Sequence, residues 1–123
     1  DGGGSPILTV NSGATVELNG YHNHFKTLNL NGGTVRGITS ANAMHRRVPT
    51  VSVTIEGHHP EALARGLAER NIFAWSGHNY AIEPVDRMGL LDKGGVLRVG
   101  LAHYNTAAEV DSFLSALTRI IKN

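Results

Sequence analysis

Glycine and charge run in opposite senses along this 123-residue chain, and that gradient limits what it can fold into. Eight of the fifteen glycines fall within residues 1–40, while residues 1–43 hold only four charged side chains, Asp1, Glu17, Lys26 and Arg36. The other seventeen charges follow residue 43. Glycine loses more backbone freedom than any other residue in a helix or strand interior, so the first stretch is a poor helix former. The chain is therefore read in two parts. Residues 1–43 form a β-rich Gly/Asn arm with a linker, and residues 44–123 form a unit with enough apolar content for a core.

Composition removes several functions at once. There is no cysteine, which excludes disulfides, thiolate nucleophiles, zinc–thiolate centres and iron–sulfur ligation. Eleven basic against ten acidic side chains leave a formal charge of +1, too little to create a broad field for nucleic acid or acidic lipid. No run of about eighteen apolar residues is present to span a bilayer. A cytoplasmic location is the expectation, with neither nucleic acid nor membrane as a partner.

In the first part, Leu8-Thr9-Val10-Asn11-Ser12-Gly13 aligns with Leu28-Asn29-Leu30-Asn31-Gly32-Gly33 at an offset of 20 residues. Each unit pairs a short alternating strand with an Asn/Gly turn and a second strand at 14–18 or 34–36. These words resemble the β-solenoid repeats of autotransporter passenger domains. A β-hairpin arm with ordinary turn chemistry is the alternative reading. Residues 38–47 lack periodicity and read as a linker, and Met44 would suit the start of an original domain behind a leader.

The second part alternates strand and helix signals. Residues 48–56 (VPTVSVTIE) place Val51, Val53 and Ile55 on one face of a strand. Pro60 and Glu61 suit the first turn of a helix carrying Leu63, Ala64 and Leu67 on its apolar side. A short strand is expected at 72–75, and a short helix within 81–90 started by Pro84 and stopped by Gly89. Residues 95–102 (GVLRVGLA) form a strand with Leu97, Val99 and Leu101 opposite Val96, Arg98 and Gly100. Thr106 and Glu109 make a capping box for a helix whose stripe is Val110, Phe113, Leu114, Leu117 and Ile121. The expected class is α+β, a small antiparallel or mixed sheet with helices packed on one face.

Residues 46–122, above all Arg98-Val99-Gly100-Leu101-Ala102-His103-Tyr104-Asn105-Thr106 and Trp75-Ser76-Gly77-His78, resemble the C-terminal small domain of cysteine desulfurase-like enzymes. These belong to the class V aminotransferase group of pyridoxal-phosphate proteins. The resemblance implies that Arg98 binds a substrate α-carboxylate, with His78 and Asn105 as further substrate-side residues. A solvated or ion-paired edge arginine is the plainer reading of Arg98. The family's Gly-His-His-Cys pattern puts its catalytic cysteine at Tyr80, which cannot carry a persulfide.

By the same resemblance, the cofactor-bearing large domain has no counterpart in this sequence. None of Lys26, Lys93 and Lys122 stands in a recognisable cofactor setting, and Lys93 reads as part of a turn. The isolated chain is thus expected to hold no catalytic residue, no metal and no cofactor, although the parent family uses pyridoxal phosphate. His22 and His24, and His58 and His59, fall short of a converging metal set. His103 and Tyr104 are expected to fix the turn between the last strand and helix, and Trp75 to pack in a core or between domains.

Three functions follow. The chain is an isolated or recombined C-terminal domain that is inactive alone, an interaction module using the β arm, or a subunit completed by a separate large domain. A homo-oligomer formed through exposed apolar surface or the arm is the expected partner state.

Overall fold

The computed structural model describes residues 7–10, 14–17, 28–30, 33–36 and 48–123. The linker 38–47, His22, His24, Lys26 and the turns at Asn11 and Asn31 lie outside the described residues. Four short strands come first: β1 (Ile7–Val10), β2 (Ala14–Glu17), β3 (Leu28–Leu30) and β4 (Gly33–Arg36). They are followed by β5 (Thr50–Ile55), α1 (Pro60–Ala68), β6 (Trp75–Gly77), α2 (Ile82–Arg87), β7 (Val96–Gly100) and α3 (Ala107–Lys122).

The strands make two sheets. The smaller has the order β2-β1-β3, with β1 antiparallel to β2 and parallel to β3. Leu8 pairs with Leu28 and Val10 with Leu30, the same 20-residue offset that the sequence words show. The larger sheet, β4-β5-β7-β6, is antiparallel throughout. Its edge strand β4 comes from the Gly-rich part and pairs with β5, Gly33 opposite Ile55 and Arg36 opposite Ser52.

The core lies between this sheet and two helices. β5 alternates half-buried and buried residues, sending Val51, Val53 and Ile55 inward as the period-2 pattern requires. They meet Leu97 of β7, Leu63 and Leu67 of α1, and Ala116 and Leu117 of α3. Leu67 and Leu97 are fully buried, each worth about 2 kcal/mol by the usual apolar-area scale. The result is a small α+β domain with α1 and α3 on one face of an antiparallel sheet. Val96, alternating with Leu97, packs instead with Val85 of α2 and Leu90 in a second, smaller cluster.

Local chemistry sets most of the boundaries. Thr106 caps α3 in a full capping box with Glu109, as the spacing predicts. α1 starts at Pro60 behind His59, whose Nδ1 accepts the Glu61 N–H at 3.3 Å. Asn71, in the left-handed region at φ 58°, follows the helix, and Ile72 N–H returns to the Leu67 carbonyl.

Two expected boundaries move. Pro84 is the third residue of α2 rather than its start, which is tolerable because first-turn N–H groups have no intrahelical acceptor. The strand expected at 72–75 is displaced to Trp75–Gly77, since pairing with Arg98, Leu97 and Val96 fixes it there. Ile72 and Ala74 pack on the core from the connection before it. Gly89, at φ 66°, ends α2 as expected, and Leu90 N–H reaches back to the Val85 carbonyl.

Candidate functional site

Alternation along β7 determines where Arg98 sits. With Leu97 and Val99 turned to α1 and α3, Arg98 falls on the opposite face, which it shares with Val96 and the α2 cluster, half-buried in the middle of the sheet. It lies directly opposite Ser52 on β5 and Trp75 on β6, and Ser52 in turn lies opposite Arg36 on β4. Arg36, Ser52, Arg98 and Trp75 thus form one row across all four strands. The two arginine backbones are separated by two strand spacings, about 10 Å. Arg98 has no ion pair or side-chain hydrogen bond with any described residue, so no carboxylate there satisfies its guanidinium.

The loop after β6 extends from the strand that borders Arg98. Gly77 has φ 106°, and Asn79 and Tyr80 are both left-handed, at φ 51° and 61°. Asparagine enters that region readily, whereas tyrosine does so at a cost of about 1–3 kcal/mol, sustained only where its surroundings hold it. Here they do. Asn79 Nδ2 donates to the Gly77 carbonyl at 3.1 Å, and Tyr80 N–H donates to His78 Nδ1 at 3.1 Å. The accepting Nδ1 leaves the His78 proton on Nε2 as a donor in the neutral ring. Tyr80, at the position where the resemblance puts the cysteine, is 98% exposed and meets the His78 ring edge-on at 6.4 Å.

Asn105 follows β7 at the entrance to α3. Its Oδ1 accepts the Ala102 N–H at 2.7 Å, and its Nδ2 donates to Glu109 Oε2 at 3.3 Å. Both ends of the amide are therefore committed to the turn. The expectation that His103 and Tyr104 fix this turn is corrected: their rings only meet each other edge-to-face at 5.3 Å, and the bonding falls to Asn105, Thr106 and Glu109. Glu109 Oε2 accepts the Thr106 N–H at 2.7 Å, and that bond, with help from Asn105, holds its carboxyl below the ordinary 4.5.

Trp75 is 70% exposed beside Arg98, so within the described residues it does not pack in a core. An apolar groove of about 600 Å3 opens on the helix side of the sheet, rimmed by exposed Phe73 and Tyr104. Lys93 closes a 3₁₀ turn (Leu91–Lys93) before left-handed Gly94, and Lys122 ends α3; both side chains are exposed. No three histidine or carboxylate groups converge among the described residues. Arg36 is the residue that sequence reasoning missed. Its alternation within 34–36 was visible, but nothing local says that this strand pairs with β5.

Comparisons with known proteins agree with this geometry. The profile of the family described as aminotransferase class-V matches residues 22–113, a segment that includes β4. An aminotransferase-like protein of Gibberella zeae is 37% identical over 90 residues, covering 72% of this chain and 22% of that one. A probable cysteine desulfurase of Mycolicibacterium paratuberculosis is 29% identical over 86 residues, 70% of this chain and 12% of that one. The apo cysteine desulfurase of Thermococcus onnurineus superposes with a TM-score of 0.62 at 27% identity, over 72% of this chain and 21% of that structure. The chain spans between 5% and 22% of the length of the curated relatives it matches. A sheet backed by two helices, an arginine on the face away from them and a family match over three quarters of the residues lead to one conclusion: this chain belongs to the class-V aminotransferase family.

Proposed function

We propose that this chain forms the carboxylate-binding side of a pyridoxal-phosphate enzyme, with Arg98 gripping the α-carboxylate of an amino-acid substrate. The observation that carries this reading is a half-buried arginine, on the sheet face away from α1 and α3, without a counter-ion among the described residues. Such a group keeps its donors for a planar carboxylate, which it holds through two parallel bonds. His78 Nε2 is a second donor from the neighbouring loop. Asn105 acts indirectly, by fixing the turn that follows β7.

Pyridoxal phosphate supplies the electron sink for the chemistry of such enzymes when bound. The described residues do not fit its attachment site, because Lys93 and Lys122 are both exposed and an imine-forming lysine works from a desolvated pocket. The reading therefore assigns the cofactor to a large domain, on the same polypeptide or a separate one, and makes this chain inactive alone. With no cysteine, the chain itself cannot carry a persulfide.

The test has two arms. Incubating the chain with pyridoxal phosphate and reducing with borohydride should leave no stoichiometric lysine adduct by mass spectrometry. A single modified lysine with amino-acid turnover would contradict the reading. In the assembly with its large domain, Arg98→Ala should raise KM for the amino acid about a hundredfold, with partial recovery in Arg98→Lys. An unchanged KM would remove Arg98 from the carboxylate site.

A second reading is an interaction module that self-associates. It is favoured by the exposure of Phe73 at 83% and Tyr104 at 75%, together with Trp75, and by the edge strands β2 and β3 of the smaller sheet.

A further inference from the structure

We propose a binding site for the phosphoryl group of a small ligand in the polar cavity between β4, the β5–α1 turn and the 3₁₀ turn before β7. The inference goes beyond carboxylate recognition at Arg98, and Arg98 does not line this cavity.

The cavity has a volume of about 450 Å3 and is walled by Arg36, Thr54, Glu56, His58 and Lys93, with Pro60 at the start of α1. Arg36 is anchored but not satisfied. Its Nη2 donates to Thr54 Oγ1 at 3.1 Å, while its Nε is buried and has no acceptor. A buried N–H of a charged group left without an acceptor is costly, so this guanidinium is short of acceptors inside the protein.

Charge points the same way. Arg36 and Lys93 face one carboxylate, Glu56, and neither forms an ion pair with it; the two ion pairs among the described residues are Arg65–Glu61 and Arg87–Glu83. His58 adds an imidazole to the wall, and the positive end of α1 borders the cavity at Pro60. Donors on β4, on the turn after β5 and on the turn before β7 surround the space from three segments. That arrangement suits a tetrahedral, multiply charged group better than a planar carboxylate, which one guanidinium can satisfy. The volume lies in the range of small-molecule sites and leaves room for an organic part beyond the phosphate.

Titration calorimetry of the full chain with inorganic phosphate tests the site, with glycerol 3-phosphate and malonate as parallel arms. The expected result is saturable binding with one phosphate per chain. Lys93→Ala and Arg36→Gln should each weaken it about tenfold, Glu56→Gln should tighten it, and Arg98→Ala should leave it unchanged. Tighter binding of glycerol 3-phosphate identifies a phosphate monoester as the ligand class, and equal binding identifies free phosphate. Lys93 and Glu56 are exposed, so their variants remain informative if Arg36→Gln loosens β4. Absence of saturable binding, indifference to Lys93→Ala and Glu56→Gln, or equal affinity for malonate would overturn the proposal.

Discussion

At Gly95 the backbone has φ 78°, and a Cβ built there would overlap the Gly77 backbone across the β6–β7 pair. Both the left-handed conformation and the close approach require glycine. Gly95→Ala is expected to cost at least about 2 kcal/mol, measured as a lowered urea midpoint. A smaller effect would mean that β6 gives way at no cost. The Glu109 carboxyl has a different consequence. Its folded pKa lies below 4.5, so it is protonated more readily in the unfolded chain. Its contribution is complete above that value and is lost as pH falls through the lowered folded pKa. Unfolding followed between pH 6 and 3 should show a steeper acid loss in the parent than in Glu109→Gln; equal slopes would contradict the capping-box origin. That box was legible in sequence because its two residues are three apart. The strain at Tyr80 was not, because φ there depends on the His78 and Gly77 contacts around it.

Among the elements, β4 shows most clearly how pairing decides a role. Its sequence reads as half of a Gly-rich repeat, yet it pairs with β5 over four positions and closes one edge of the larger sheet. β1, β2 and β3 form the other sheet. Deleting residues 1–32 should therefore leave the cooperative unfolding of the α+β unit in place, whereas deleting residues 1–43 should lower its stability by removing the edge strand. Equal stability of the two deletions, by thermal melting, would show that β4 contributes nothing to the sheet. The helices were easier to foresee. The apolar stripes of α1 and α3 fix which faces meet, and their approach is close at Gly66, where an added Cβ would stand 3.1 Å from Ile120 Cδ1.

For the whole molecule, the balance between buried and exposed apolar surface matters most. The core is compact, but Phe73, Trp75 and Tyr104 remain outside it. No helix among the described residues is long and apolar enough to cross a membrane. The self-association reading predicts a concentration-dependent sedimentation coefficient for the full chain, shifted toward monomer by Phe73→Ser. A monomer at every concentration would count against it. The carboxylate reading depends on the rest of the family's architecture, since the chain spans about a fifth of the Gibberella zeae relative.

Local pattern alone determined which residues of β5 and β7 face inward, where α3 begins, and that Arg98 lies opposite Leu97. These follow from periods of two and 3.6 residues and from a cap three residues long. Family words added the expected role of Arg98 and the significance of Tyr80. Only the tertiary structure joined Arg36 to Ser52, aligned both with Arg98 and Trp75, and enclosed a polar cavity beside Lys93 and His58. Alternation specifies a strand's inward face but not its neighbour. That choice is made by long-range pairing, when the sheet closes and strands far apart in sequence come to share an edge.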